Sequence, residues 1–184
     1  KAAEENKGNV NEEESENNAE ITENFNTYMN EEYGFSIQYP NSWFVNESFS
    51  TNNKNPFFIN FDSFDDGYEP PIGISPSSIY YTMNPDQKVL MIVAYPEEYI
   101  SGLGLEDFIV KIRGENYGKD NSGRFDNFEV FKYISGDENN TEYFYLQSGE
   151  IIYEFSWVGG GDVSKEELET SIDGILSTFE VSQS

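Results

Sequence analysis

The chain has 184 residues with 35 acidic and 10 basic side chains, a formal net charge of -25, and neither cysteine nor histidine. Such a charge repels phosphate backbones and anionic lipid, which argues against a nucleic-acid partner. The missing residue types exclude disulfides, thiolate catalysis, cysteine zinc sites, Ser-His and Cys-His nucleophile pairs and the commonest transition-metal ligand. The length suits one domain, and 13 Tyr and 15 Phe supply the apolar material for its core.

Residues 1–26, "KAAEENKGNVNEEESENNAEITENFN", carry eight Glu against two Lys, with only Val10, Ile21 and Phe25 as larger apolar side chains. A stretch this polar cannot offset its chain entropy by burial, so it is expected to be a disordered acidic tether ahead of a domain spanning 27–184. The first residue is Lys and no apolar run approaches a membrane span. A signal peptide ending in a lipid-bearing cysteine is therefore expected ahead of Lys1. The mature protein would be extracellular and anchored at the cell surface, touching the membrane only through that lost anchor.

In "YGFSIQYPNSW", residues 33–43, Phe35, Ile37 and Tyr39 alternate with polar Ser36 and Gln38 as in a half-buried strand. Pro40 has no amide hydrogen to donate, Asn41-Ser42 are turn formers, and Trp43 is expected to resume a second strand, making this the opening hairpin. "PFFINFDSF", 56–64, is another strand candidate. It runs into the densest oxygen cluster, Asp62, Asp65, Asp66 and Glu69 around Gly67. Calcium favours oxygen ligands, but the spacing lacks the alternate-position ligands and bidentate Glu of an EF-hand, and a solvated acidic turn is the competing reading. Next comes "SPSSIYYTMNP", a loop bracketed by prolines, whose Tyr80 and Tyr81 are the candidate partner-binding residues.

"KVLMIVAYP", 88–96, is apolar on both faces and reads as a central strand. "LEDFIVKIRG" places Leu105, Phe108, Ile109 and Ile112 on one helical stripe that stops near Gly114. A second polar cluster, Asp120, Asn121, Ser122 and Asp126 near Gly123, reads as turn chemistry. In "NFEVFKYIS", Phe128, Val130, Lys132 and Ile134 oppose Glu129, Phe131 and Tyr133. "TEYFYLQSGEIIYEFSWVG" reads as a hairpin turning at Ser148-Gly149. "WVGGGD", 157–162, lacks the Lys of a phosphate loop and reads as a flexible connector. Ser164 and Glu167 then form a capping box ahead of the stripe Leu168, Ile172, Ile175, Leu176 and Phe179.

Two segments at opposite ends of this span carry a resemblance. "YMNEEYGFSIQYPNSW", 28–43, is similar to the opening "Y-x-n-x-x-y-G-F-s-i-x-Y-P-x-x-W" of the PsbP-like domain family, and "ILSTFEV", 175–181, to its close. The resemblance covers residues 28–182 and implies an α/β (α+β) fold: an antiparallel β-sheet covered by helices on both faces, a PsbP-like α/β/α sandwich. It also implies a non-catalytic protein that binds other proteins or assists assemblies, because the family has no shared catalytic set. No photosynthetic role follows, since no photosystem-docking segment is matched.

The sequence thus points to an exported PsbP-like lipoprotein domain, monomeric, without catalytic residues or cofactor, that binds a protein or cell-envelope component. The alternatives are a calcium-dependent binding module and a carbohydrate-binding or carbohydrate-active protein, since glycoside hydrolysis requires only two well-placed carboxylates. Asn46 and Asn139 lie in N-glycosylation sequons that arise readily in an asparagine-rich chain.

Overall fold

The structure is a computed structural model and describes residues 24–48, 56–64, 83–125, 128–135 and 141–182. Its elements run β1 (Phe25–Asn30), β2 (Phe35–Pro40), β3 (Phe44–Ser48), β4 (Phe57–Asp62), β5 (Lys88–Tyr95), α1 (Glu97–Ile100), α2 (Leu105–Arg113) and β6 (Tyr117–Asp120). They continue with β7 (Val130–Ile134), β8 (Glu142–Ser148), β9 (Ile151–Gly159), α3 (Lys165–Leu176) and β10 (Glu180–Val181). The tether expected over the N-terminal segment lies outside the described residues up to position 23; β1 starts at Phe25.

The strands form two antiparallel sheets, one ordered β1-β2-β10 and the other β3-β4-β5-β9-β8-β7-β6. As expected, β5 is an interior strand buried on both faces. Its Leu90, Ile92 and Ala94 join Phe57, Ile59 and Phe61 of β4, Phe155 of β9, Phe35 and Ile37 of β2, and Ile172, Ile175 and Leu176 of α3 in one core. Val93 and Tyr95, on the opposite face, pack with Phe108 and Ile109 of α2, Ile100 of α1, and Tyr145 and Ile152. Period-two alternation in the strands therefore feeds two cores, and the fold is a mixed α/β sandwich with helices on both faces of the larger sheet. On one face α3 shares the cover with the smaller sheet.

Several local expectations need correction. The "YPNSW" step does not turn a hairpin. β2 pairs with β1 across the Glu31–Gly34 turn, where Gly34 has φ 60° and the Tyr33 amide donates to Asn30 Oδ1 at 2.9 Å. The other edge of β2 is taken by β10 and by Thr178, whose Oγ1 accepts from the Gln38 amide at 2.8 Å. With both edges filled, β2 has no room for the strand that follows. Pro40 ends it, Trp43 bonds back to the Pro40 carbonyl at 2.9 Å, and β3 joins β4 in the other sheet. The step thus carries the chain between layers.

The β8–β9 turn lies at Gly149-Glu150, one residue later than expected, since Ser148 pairs with Ile151. Gly149 takes φ 58°, the first-position requirement of a type II′ turn. Nor is "WVGGGD" a loose connector: the Gly160 amide donates to the Gln87 carbonyl at 2.7 Å and Asp162 to that of Pro85 at 2.8 Å. A Cβ at Gly160 would stand 2.0 Å from the Asn84 carbonyl oxygen, so only glycine fits. The helix cap is half of the box: Ser164 Oγ accepts from the Glu167 amide at 3.2 Å, while the Glu167 carboxylate pairs with Lys88 at 2.7 Å.

Candidate functional site

Of the residues singled out for calcium or a partner, Asp65, Asp66, Glu69, Tyr80 and Tyr81 lie outside the described residues, as do Asp126 and Asn139. Asp62 is described and buried at the end of β4, where its Oδ2 accepts from Gln87 Nε2 at 2.7 Å and its Oδ1 from the Phe64 amide at 2.9 Å. Gln87 in turn accepts from the Asn84 amide at 2.9 Å. The Asp62 carboxylate thus ties the 84–87 turn to β4. Asp120, at the end of β6, accepts from Ser122 Oγ at 2.5 Å, the local turn bonding its composition suggested. Asn46 lies on β3 opposite Asn60.

Two arrangements went unrecognised in the sequence. The first is a charged network between α2 and the centre of the larger sheet. Glu154 of β9 is 3% exposed, and its carboxylate accepts from Arg113 Nη2 and from the Tyr95 hydroxyl, both at 3.0 Å. Arg113 Nε donates to Tyr145 Oη at 2.8 Å, and its guanidinium lies 4.0 Å from the Tyr143 ring centroid. Burial opposes the Arg113 charge, but Glu154 and the neighbouring phenol oxygens outweigh it and hold the guanidinium above its ordinary range. Burial and the Glu154 charge push the Tyr95 and Tyr145 phenols well up. The signal available in sequence was a Glu inside the apolar run "IIYEFSWV". Its partner lay 41 residues away.

The second is a cleft of about 480 Å³ where the start of β1, the "YPNSW" step, the 86–88 segment and α3 meet. Phe25, Trp43 and Phe64 supply its aromatic wall, and Phe25 and Phe64 remain 45% and 41% exposed. Asp86, Ser63, Thr170 and Ser171 supply polar groups. Lys88 is neutralised by Glu167, and its ammonium also donates to Ser171 Oγ at 3.2 Å. Thr170 donates to the Glu166 carbonyl at 2.8 Å and Ser171 to that of Glu167 at 3.0 Å. These hydroxyls therefore face a ligand mainly as acceptors. The volume lies in the range of about 300–1,000 Å³ usual for small-molecule sites.

A wider, flatter hollow near the start of α2 presents Glu106, Asp107 and Glu129, of which Glu106 accepts from the Tyr117 hydroxyl and Glu129 pairs with Lys119. Among the described residues, no three carboxylates converge in a metal-holding group. Every buried side-chain nitrogen or oxygen among them has a partner.

No family model and no curated protein matches the chain. Solved structures similar to it include two that cover most of its length. One is a crystal structure from Bacteroides thetaiotaomicron VPI-5482, at 15% identity and TM-score 0.41, covering 85% of this chain. The chain spans about half of that protein, 48% of its length. The other is the solution structure of cyanobacterial PsbP (CyanoP) from Synechocystis sp. PCC 6803, at 14% identity and TM-score 0.45, covering 89% of this chain and 95% of that one.

Proposed function

We propose that the chain is a non-catalytic, PsbP-like domain of an exported, membrane-anchored lipoprotein, and that it binds a protein or cell-envelope component through the cleft between the "YPNSW" step and α3. The observation that carries the reading is the pair of exposed rings, Phe25 and Phe64, in a concave site whose charged lysine is already neutralised. Concave sites with aromatic walls and a few polar groups are suited to holding a ligand. The Lys88 ammonium, held by Glu167 and Ser171, is not poised as a nucleophile. The resemblance of residues 28–43 and 175–181 to the PsbP-like motifs supports the non-catalytic class, and the acidic N-terminal composition supports a tethered display.

The test is capture from envelope extract with the full chain and with a Phe25→Ser, Phe64→Ser double variant of matched melting temperature. The wild type retains one defined component in moderate salt and the variant loses it. Equal retention by both would remove the cleft from the reading. The anchoring part requires an apolar leader in the precursor upstream of the acidic segment, and a precursor lacking any such leader would refute it.

A further inference from the structure

We infer that the cleft is a subsite for a neutral carbohydrate, a short stretch of uncharged hexose or N-acetylhexosamine units. The inference rests on the binding role proposed above and names its ligand class.

Gly174 sits inside α3, where glycine costs about 1 kcal/mol relative to alanine. Two ordinary reasons for a helical glycine are absent. It does not take a positive φ, and a Cβ built on it meets nothing within 4 Å, so no neighbouring group demands the space. Gly174 lines the cleft beside Ile175, and the "YPNSW" step contributes Trp43 to the same lining. The missing side chain leaves open space in the lining at this position, which a ring-shaped ligand can occupy.

The chemistry of the walls selects the ligand. Phe25, Trp43 and Phe64 offer an apolar platform for the C–H face of a pyranose ring. The polar groups are acceptor-rich: the Asp86 carboxylate accepts only, and the Thr170 and Ser171 hydroxyls have committed their protons to helix carbonyls. Such a lining suits a ligand rich in hydroxyl donors. It disfavours phosphate, sulfate and carboxylate, which bring only acceptors and negative charge to a chain of net charge -25. Among the described residues the one cation lining the cleft, Lys88, is paired, and so are Arg113, Lys119, Arg124, Lys132 and Lys165 elsewhere. A basic peptide would satisfy the acceptors but makes poor use of three rings and of the open space at Gly174.

The chain has two tryptophans, Trp157 buried in the core and Trp43 lining the cleft, so comparing wild type with Trp43→Phe assigns the ligand-induced part of the intrinsic fluorescence to Trp43. The full chain is titrated with neutral tetrasaccharides of glucose and of N-acetylglucosamine, with a sulfated tetrasaccharide and tetralysine as controls, and Kd values are confirmed by calorimetry. One neutral sugar is expected to shift the emission and to bind at least about tenfold tighter than either control. Gly174→Gln, which fills that open space with a good helix former, should weaken that binding about tenfold or more while the melting temperature holds or rises. Trp43→Phe should abolish the fluorescence response. The inference is overturned if no neutral sugar binds at low-millimolar concentration, if Gly174→Gln binds like wild type, or if tetralysine or the sulfated sugar binds as well as the neutral one. If the sugars fail while envelope capture still depends on Phe25 and Phe64, only the ligand class falls. If both fail, the cleft reading falls too.

Discussion

Arg113, the last residue of α2, reaches 3.0 Å from the carboxylate of Glu154 in the middle of the larger sheet, and this contact joins the helix to β9 through charge as well as through the Phe108 and Ile109 packing. The two partners are unequally exposed: Arg113 keeps 26% of its side chain in solvent and Glu154 only 4%. Removing the arginine strands a buried carboxylate, whereas removing the carboxylate leaves a guanidinium that can turn outward.

Arg113→Met should accordingly destabilise the fold by about 3 kcal/mol, and Glu154→Gln by roughly half as much, because Gln can still accept from the Tyr95 hydroxyl. Urea unfolding of the two variants measures the order. A Glu154→Gln cost equal to or above that of Arg113→Met would contradict the assignment of the buried partner.

The glycines at 160 and 174 should respond in opposite directions. Gly160→Ala forces a Cβ onto the Asn84 and Pro85 carbonyls and should cost about 2 kcal/mol or more, because both contacts are backbone. Gly174→Ala enters open space in a helix and should stabilise by up to about 1 kcal/mol. Thermal melts of both variants decide this.

Stability should fall steeply in alkali. Burial raises the phenols of Tyr95, Tyr145 and Tyr153, with the Glu154 charge adding to the first two. A folded-state value above the ordinary 10 leaves the stabilisation whole below about pH 10. Above it the unfolded chain releases these protons while the folded chain keeps them, so each phenol removes about 1.4 kcal/mol per pH unit. Phenolate absorbance from these residues should therefore appear together with loss of the circular dichroism signal. Full ionisation while the dichroism persists would refute the burial argument.

At the start of α3, Ser164→Ala should cost about 1 kcal/mol by removing the acceptor for the Glu167 amide. Glu167→Gln should cost less, because its carboxylate is largely exposed in its pair with Lys88. High salt should shrink the second effect and leave the first, which equilibrium unfolding at two ionic strengths would show.

What was legible in the sequence is what depends on near neighbours. The unbroken apolar run of β5, the alternation around Val130 and Phe131, the stripe of α2 ending at Gly114 and the Ser164 cap all follow from local periodicity and backbone donors, and each stands where it was expected. Short pieces were missed for the same reason: β6 has only four residues with a glycine among them, and α1 is a single turn, so neither repeats a pattern long enough to read. β1 was missed because the tether boundary drawn at residue 26 cuts it, leaving Phe25 and Asn26 in the glutamate- and asparagine-rich segment and 27–30 on the domain side.

By itself, then, the sequence determined which faces are apolar, where the helices begin, and which reactive side chains the chain does not possess. Only the tertiary structure decided pairing. Alternation marks the buried face of β2, yet it was the occupation of both β2 edges by β1 and by β10 with Thr178 that sent β3 to the other sheet. The same holds for Glu154, whose charge is tolerable in the core only because α2 delivers Arg113 to it, and for the cleft, which gathers Phe25, Trp43, Phe64, Lys88 and Gly174 from five separate segments. Side-chain period is a property of a few consecutive residues, whereas long-range contacts are set by which closures bury the most apolar surface and satisfy every polar group, a condition on the whole chain.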